Sequence, residues 1–188
     1  MRGARVEHPY TAIRREACFA VPFADFTRAF ESLLGRMDPE TLPELVRDAP
    51  DRARAKLVAV LGLSGFALFQ KVEHGVILRA LAGRSSAATM YVLGNALLAY
   101  EMARHEPDAA LYVSPRVLVV ELDRSSVRIT YDLPSAALAQ FESDAVDAAA
   151  ATVDLRLAKL VDVAAALAIR TRARRGAGGL RLDESGRR

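Results

Sequence analysis

Three observations predict an α+β fold: a sheet of about five to six strands with packed helices, the last of them long. Strand-forming runs come in pairs around short turns, most clearly Leu111 to Leu122 and Ser126 to Leu133 about Asp123-Arg124-Ser125, which reads as an antiparallel hairpin. Near the front, Phe23, Phe26, Phe30, Leu33 and Leu34 fall on one stripe of a helix. Further on, Val146, Ala149, Val153, Leu157, Leu160, Ala164 and Leu167 step by three and four, the strongest periodic signal in the chain. That helix must cover a face of the sheet or pair with a partner helix.

The elements follow in order. Residues 1 to 9 are polar and expected to fray. Tyr10 to Val21 has the β-branched and aromatic content of a first strand, and Cys18 within it is expected as a small buried hydrophobe. Pro22 suits a helix start, and Asp25 meets the positive end of that helix's dipole. The phenylalanine stripe fits core packing and, as the alternative, the lining of a ligand cavity. Residues 38 to 62 read as an insertion: a proline-containing loop to Asp48 with one helical turn at Leu42 to Val46, then a helix from Asp51 closed by Gly62. Its Ala53, Leu57, Val60 and Leu61 are expected inward, with Arg52, Arg54 and Lys56 outward.

Phe66 to Gly83 (FALFQKVEHGVILRALAG) reads as two strands joined near Glu73-His74-Gly75, with His74 solvated at the turn. Arg84-Ser85-Ser86 is a loop and Ala88 to Leu93 a further strand. Asn95 is a favourable N-cap for a helix reaching His105, with Leu97, Leu98 and Met102 inward, and Pro107 blocks its continuation. VLVVEL is apolar enough for a central strand, whereas VRITYD alternates and reads as half-buried. From Arg170 the pattern fails, and repelling charge with three glycines in four residues predicts a disordered tail over 170–188.

At 188 residues, 52% of them apolar, the chain can bury one core, so a single domain over 10–169 with a tail is expected. The formal net charge of +3 and pI near 9.3 suggest a nucleic-acid partner, but the distribution argues against one. Seven arginines against Asp183 and Glu184 give the tail +5, leaving the body at about −2. No run approaches the roughly 18 to 20 apolar residues of a membrane span, and Met1 to Pro9 lacks a signal peptide's apolar core, so a cytoplasmic location is expected.

The stretch Tyr91 to Phe141 (YVLGNALLAYEMARHEPDAALYVSPRVLVVELDRSSVRITYDLPSAALAQF) carries the most recognisable residues. It resembles the domain-of-unknown-function 302 family, in the branch with the pattern Y-V-x-G-N-P, H-x-P-x-A-x-L-Y-x-P-x-R-V-L-V and Y-D-x-P-S. The likeness spans about residues 10 to 165. It implies a domain of the TATA-box-binding-protein-like class, with a curved antiparallel sheet, helices on one face and dimerisation. It implies no particular activity. Ala96 replaces the family's proline after Gly94-Asn95. Cysteines that another branch carries near this turn are absent, which excludes a thiolate metal site at those positions.

The polar groups that could converge are Asn95, His105, Tyr112, Arg116, Tyr131, Asp132 and Ser135. Asn95 suits an anion site at a helix N-terminus or plain capping. Arg116 suits a carboxylate or phosphate clamp, or an ion pair with Asp132 across the hairpin. Glu101 and His105, four apart, read as a solvated ion pair. There is no G-x-G-x-x-G, Walker, H-E-x-x-H, C-x-x-C or G-x-S-x-G motif, and the three histidines are scattered, so no metal or cofactor is expected.

The leading expectation is a homodimeric binder of a small, partly apolar molecule. Its pocket would lie between sheet and helices, lined by Asn95, Arg116, Tyr112, Phe26 and Phe30. The alternatives are an acid/base enzyme of isomerase or cyclase type and a protein-interaction module built on the final helix. The enzyme would use His105 or Asp132 as acid or base, with Tyr131 or Arg116 holding developing charge.

Overall fold

The computed structural model describes residues 5–47, 49–83 and 87–179. Its centre is an open six-stranded sheet of strands β1 (Arg14–Phe19), β2 (Gly35–Arg36), β3 (Ala67–Val72), β4 (Ala88–Gly94), β5 (Arg116–Asp123) and β6 (Ser126–Asp132), in the order β1-β6-β5-β4-β3-β2. All neighbours run antiparallel except the short β2, which lies parallel to β3. The helices are α1 (Phe23–Ser32), α2 (Leu42–Leu45), α3 (Pro50–Ala59), α4 (His74–Ala82), α5 (Ala96–Ala103), α6 (Pro134–Leu138) and α7 (Asp144–Gly179). The fold is α+β.

One face of the sheet is dry. Tyr91, Leu93, Val117, Val119, Val127, Ile129 and Tyr131 are buried on it, against Phe26 and Phe30 of α1 and Val146, Val153, Leu157, Leu160 and Ala164 of α7. Leu118, Val120, Met90 and Val92 alternate onto the other face and are only half-buried. This period of two is what β5 and β6 spell in sequence, and β5 does lie centrally in the sheet.

Several expectations need correction. The second strand expected after His74 is helix α4. Leu78 to Ala82 are good helix formers, Gly83 ends the helix in the left-handed region (φ 62°), and so short an apolar run does not declare its period. His74 opens that helix half-buried rather than solvated at a turn. The strand expected from Leu111 starts only at Arg116. Residues Pro107–Leu111 form a tight helical turn, and Pro115 has no N–H to give a ladder.

Cys18 is exposed, not buried. It sits on edge strand β1 opposite Arg128, on the uncovered face, while its neighbours Ala17 and Phe19 turn inward. The disorder expected from Arg170 is corrected over 170–179, where α7 continues. There Arg175 reaches Asp25 of α1 at 3.5 Å. The remainder of the expected tail, residues 1–4 of the expected frayed start, Asp48 and the loop expected at Arg84-Ser85-Ser86 lie outside the described residues. Among the described residues no helix is long and apolar enough to cross a membrane.

Candidate functional site

Two clefts open side by side where β4 ends. Gly94 closes the strand because the Phe69 ring leaves no room for a side chain: a Cβ there would lie 2.1 Å from a ring carbon. Asn95 then caps α5, its Oδ1 accepting from the N–H groups of Leu97 (3.0 Å) and Leu98 (3.1 Å). Its Nδ2 donates to the Gly65 carbonyl at 2.8 Å, and the residue is 5% exposed. Asn95 therefore holds the turn in place and ties it to the loop before β3.

The first cleft, about 300 Å³, is an almost wholly apolar pouch at this turn. Its floor is Gly94, its walls are Phe69, Leu42 and Val113, and one side is the alanine face of α5. Ala96, Ala99 and Ala103 recur at i, i+3 and i+7, so they form one stripe whose missing side-chain volume is the pouch. Tyr100 stands at the rim, 56% exposed, with the Arg104 guanidinium over its ring.

The second cleft, about 380 Å³, is more polar and shares Ser114 with the pouch. It gathers Tyr112, Arg116 and Asp132, with Val92 beneath and Pro134 beside them. Tyr112 is set edge-on between Tyr10 (5.3 Å between ring centres) and Phe141 (6.1 Å), which fixes its ring as a wall. The lip is anchored by the Leu93 N–H, which donates to the Pro115 carbonyl at 3.0 Å.

Arg116 is exposed and makes no ion pair with a described residue. The expected Arg116–Asp132 pair is thus corrected: Asp132 meets Arg14, its register partner on β1, at 3.4 Å. Arg116 lines the cleft, and no described residue takes its guanidinium donors.

The other expected residues do not join them. Phe26 and Phe30 are fully buried in a ring series running Phe19, Phe26, Phe30, Tyr91, with centres 6.1, 5.9 and 5.1 Å apart. The pocket expected between sheet and helices is therefore corrected, because that space is core. Tyr131 is 3% exposed and faces α7, and burial pushes its hydroxyl pKa up, with Arg15 opposing. His105 is exposed beyond the end of α5 and lines neither cleft. Its expected pairing with Glu101 is also corrected, since Glu101 takes Arg104 at 2.9 Å and Arg54 at 3.9 Å. Ser135 donates to Asp154 of α7, which fastens α6.

A charged cluster that the sequence reading did not single out lies at the edge of the core. The Tyr91 hydroxyl donates to Glu31 at 2.8 Å, and Lys71, opposite Tyr91 in the sheet, reaches the same carboxylate at 2.9 Å and Glu73 at 3.4 Å. Burial raises the Tyr91 pKa far above its usual value, and the bond to Glu31 raises that of Lys71. Both shifts hold the protons in place, so the cluster fastens α1 to the sheet. The paired register of Lys71 and Tyr91 becomes legible only once β3 and β4 are aligned.

Residues 45–164 match the family described as a domain of unknown function, DUF302. The chain belongs to the DUF302 family. Among solved structures it is similar to the uncharacterized conserved DUF302 protein from Bacillus stearothermophilus, with a TM-score of 0.55 and 12% identity, covering 80% of this chain and 97% of that one. At that identity the likeness speaks for the fold. No curated protein matches. Both clefts lie largely inside the DUF302 match, whereas β1 and α1 precede it. Among the described residues, no three His, Cys, Asp or Glu side chains gather as a metal site would need.

Proposed function

We propose that this DUF302 protein binds a small, partly apolar molecule carrying a carboxylate or similar acceptor group. The apolar part would lie in the alanine-lined pouch and the acceptor at Arg116. The observation that supports this reading most is the meeting of the two clefts at Ser114, one apolar and the other furnished with a guanidinium that no described residue pairs. A guanidinium takes carboxylates in two-pronged fashion, and an apolar pouch supplies the remaining affinity.

The test is calorimetric titration with 4-phenylbutanoate, with 4-phenylbutanol as the uncharged control. The acid should bind more tightly than the alcohol, and Arg116→Gln should remove the difference while leaving the melting temperature unchanged. Equal binding of acid and alcohol, or an unaffected Arg116→Gln variant, would refute the reading.

The proposal extends to a homodimer. Helix α4 exposes Val76, Ile77 and Leu81 at 48%, 57% and 85%, more apolar surface than one short helix normally leaves in water. Light scattering of the full chain should give twice the monomer mass, and Leu81→Glu should shift it toward the monomer. The acid/base enzyme is the weaker reading: His105 and Tyr131 line neither cleft, and although Asp132 shares one with Arg116, its carboxylate is engaged by Arg14 at 3.4 Å.

A further inference from the structure

A third cleft, larger than the other two at about 700 Å³, lies between α7 and the loop that follows α3. Leu33, Leu61, Leu160 and Val163 give it an apolar lining, and Leu63 stands over it 91% exposed. Two cations border it, Arg156 and Lys159, which share one face of α7 because they are three positions apart. Among the described residues no acidic side chain lines the cleft, and neither cation makes an ion pair with one of them.

The loop wall is held by backbone. Gly62 packs so closely on Gly35 that a Cβ on either would collide with the other's main chain. Both N–H groups donate to the Phe66 carbonyl, at 3.0 and 2.9 Å, and the Ser64 N–H donates to Leu33 at 3.0 Å. Ser64 Oγ accepts from the Phe66 N–H at 3.2 Å, which leaves its own proton to donate into the cleft. The cleft is thus a built shape with an apolar floor and uncompensated positive charge at one side.

We propose that this cleft is a second site, separate from the one at Arg116. It takes a free small molecule with an extended apolar body and an anionic head, phosphate or carboxylate. Arg156 and Lys159 hold the head, one through its planar fork and the other as a point charge. The body lies along Leu61, Leu63 and Leu160.

Titration of the full-length Arg116→Gln variant, which lacks the anion contact of the first site, with decyl phosphate, decanoate and decanol, each below its micelle concentration, tests this. Both anions should bind one to one, about tenfold or more tightly than the alcohol, and whichever anion binds better names the head. The double variant Arg156→Gln/Lys159→Gln should bring the anions down to the level of decanol. Val163→Trp, which fills the cleft without changing charge, should abolish binding of all three while circular dichroism stays native. Because Arg116 is already replaced in the protein titrated, the outcome is independent of the reading above. Absence of binding, decanol binding as tightly as the anions, or anion affinities unaffected by adding the double substitution would overturn the proposal. So would cosedimentation of the protein with anionic phospholipid vesicles through Arg156 and Lys159, because the head would then belong to a membrane surface.

Discussion

The layer between sheet and helices and the clefts at the end of β4 use similar residues to opposite effect. In the layer, Phe26, Phe30 and Tyr91 pack ring against ring with no exposed surface, and the one polar side-chain atom of the three, the Tyr91 hydroxyl, is hydrogen-bonded to Glu31. In the clefts, alanines stand where large side chains would fill the space, and Arg116 has no described partner. A helix stripe of aromatics fills volume, whereas a stripe of alanines beside a glycine turn leaves it open. Open space at this end of the fold lies at the margin, where prolines 107, 115 and 134 interrupt regular structure and bring loop backbone to the sheet's end.

That contrast breaks most sharply under truncation. Phe30→Ala should cost about 3–5 kcal/mol of stability, measured by urea unfolding. A cost below about 1 kcal/mol would mean that the layer can collapse or is already hollow. Asn95→Ala should cost about 1–2 kcal/mol, through the lost α5 cap and the Gly65 carbonyl left without its donor. Its effect should appear as lost stability first, whatever ligand is offered.

The Tyr91 cluster makes a pH-dependent prediction. The folded-state pKa values of Tyr91 and Lys71 lie above their ordinary 10.0 and 10.5, so the folded chain keeps protons that the unfolded chain releases. Their contribution is complete at neutral pH and is lost as pH rises past about 10. For Tyr91 the limiting slope is about 1.4 kcal/mol per pH unit. Tyr91→Phe should remove that part of the slope, and urea midpoints at neutral and alkaline pH would show it. At the small end, Arg14→Ala should change stability by about 0.5 kcal/mol or less, since its pair with Asp132 is exposed on both sides.

Much of this fold could be read from residue pattern. The alternation of VRITYD and the three-and-four spacing of α7 each state their period over enough residues to be unambiguous. Helix α4 could not be read so, because VILRAL is short and begins with β-branched residues that suit a strand equally well. Cys18 was misplaced for a related reason: its burial depends on β1 being an edge strand, which only the sheet order decides.

The site was legible in part. Tyr112, Arg116 and Asp132 do line one cleft, but the partner of Asp132 comes from Arg14, more than a hundred residues away, and local sequence holds no sign of it. The alanines at 96, 99 and 103 were a readable signal, masked by the apolar Leu97, Leu98 and Met102 that alternate with them.

The proposal that a ligand would sit at the margin and not in the layer can be tested by amide chemical-shift mapping of the full chain during titration with 4-phenylbutanoate. The account predicts shifts at Ala96, Ala99, Ala103, Ser114 and Arg116, with Phe26 and Phe30 unmoved. Shifts centred on Phe26, Phe30 and Tyr91, with the Ser114 region silent, would contradict it.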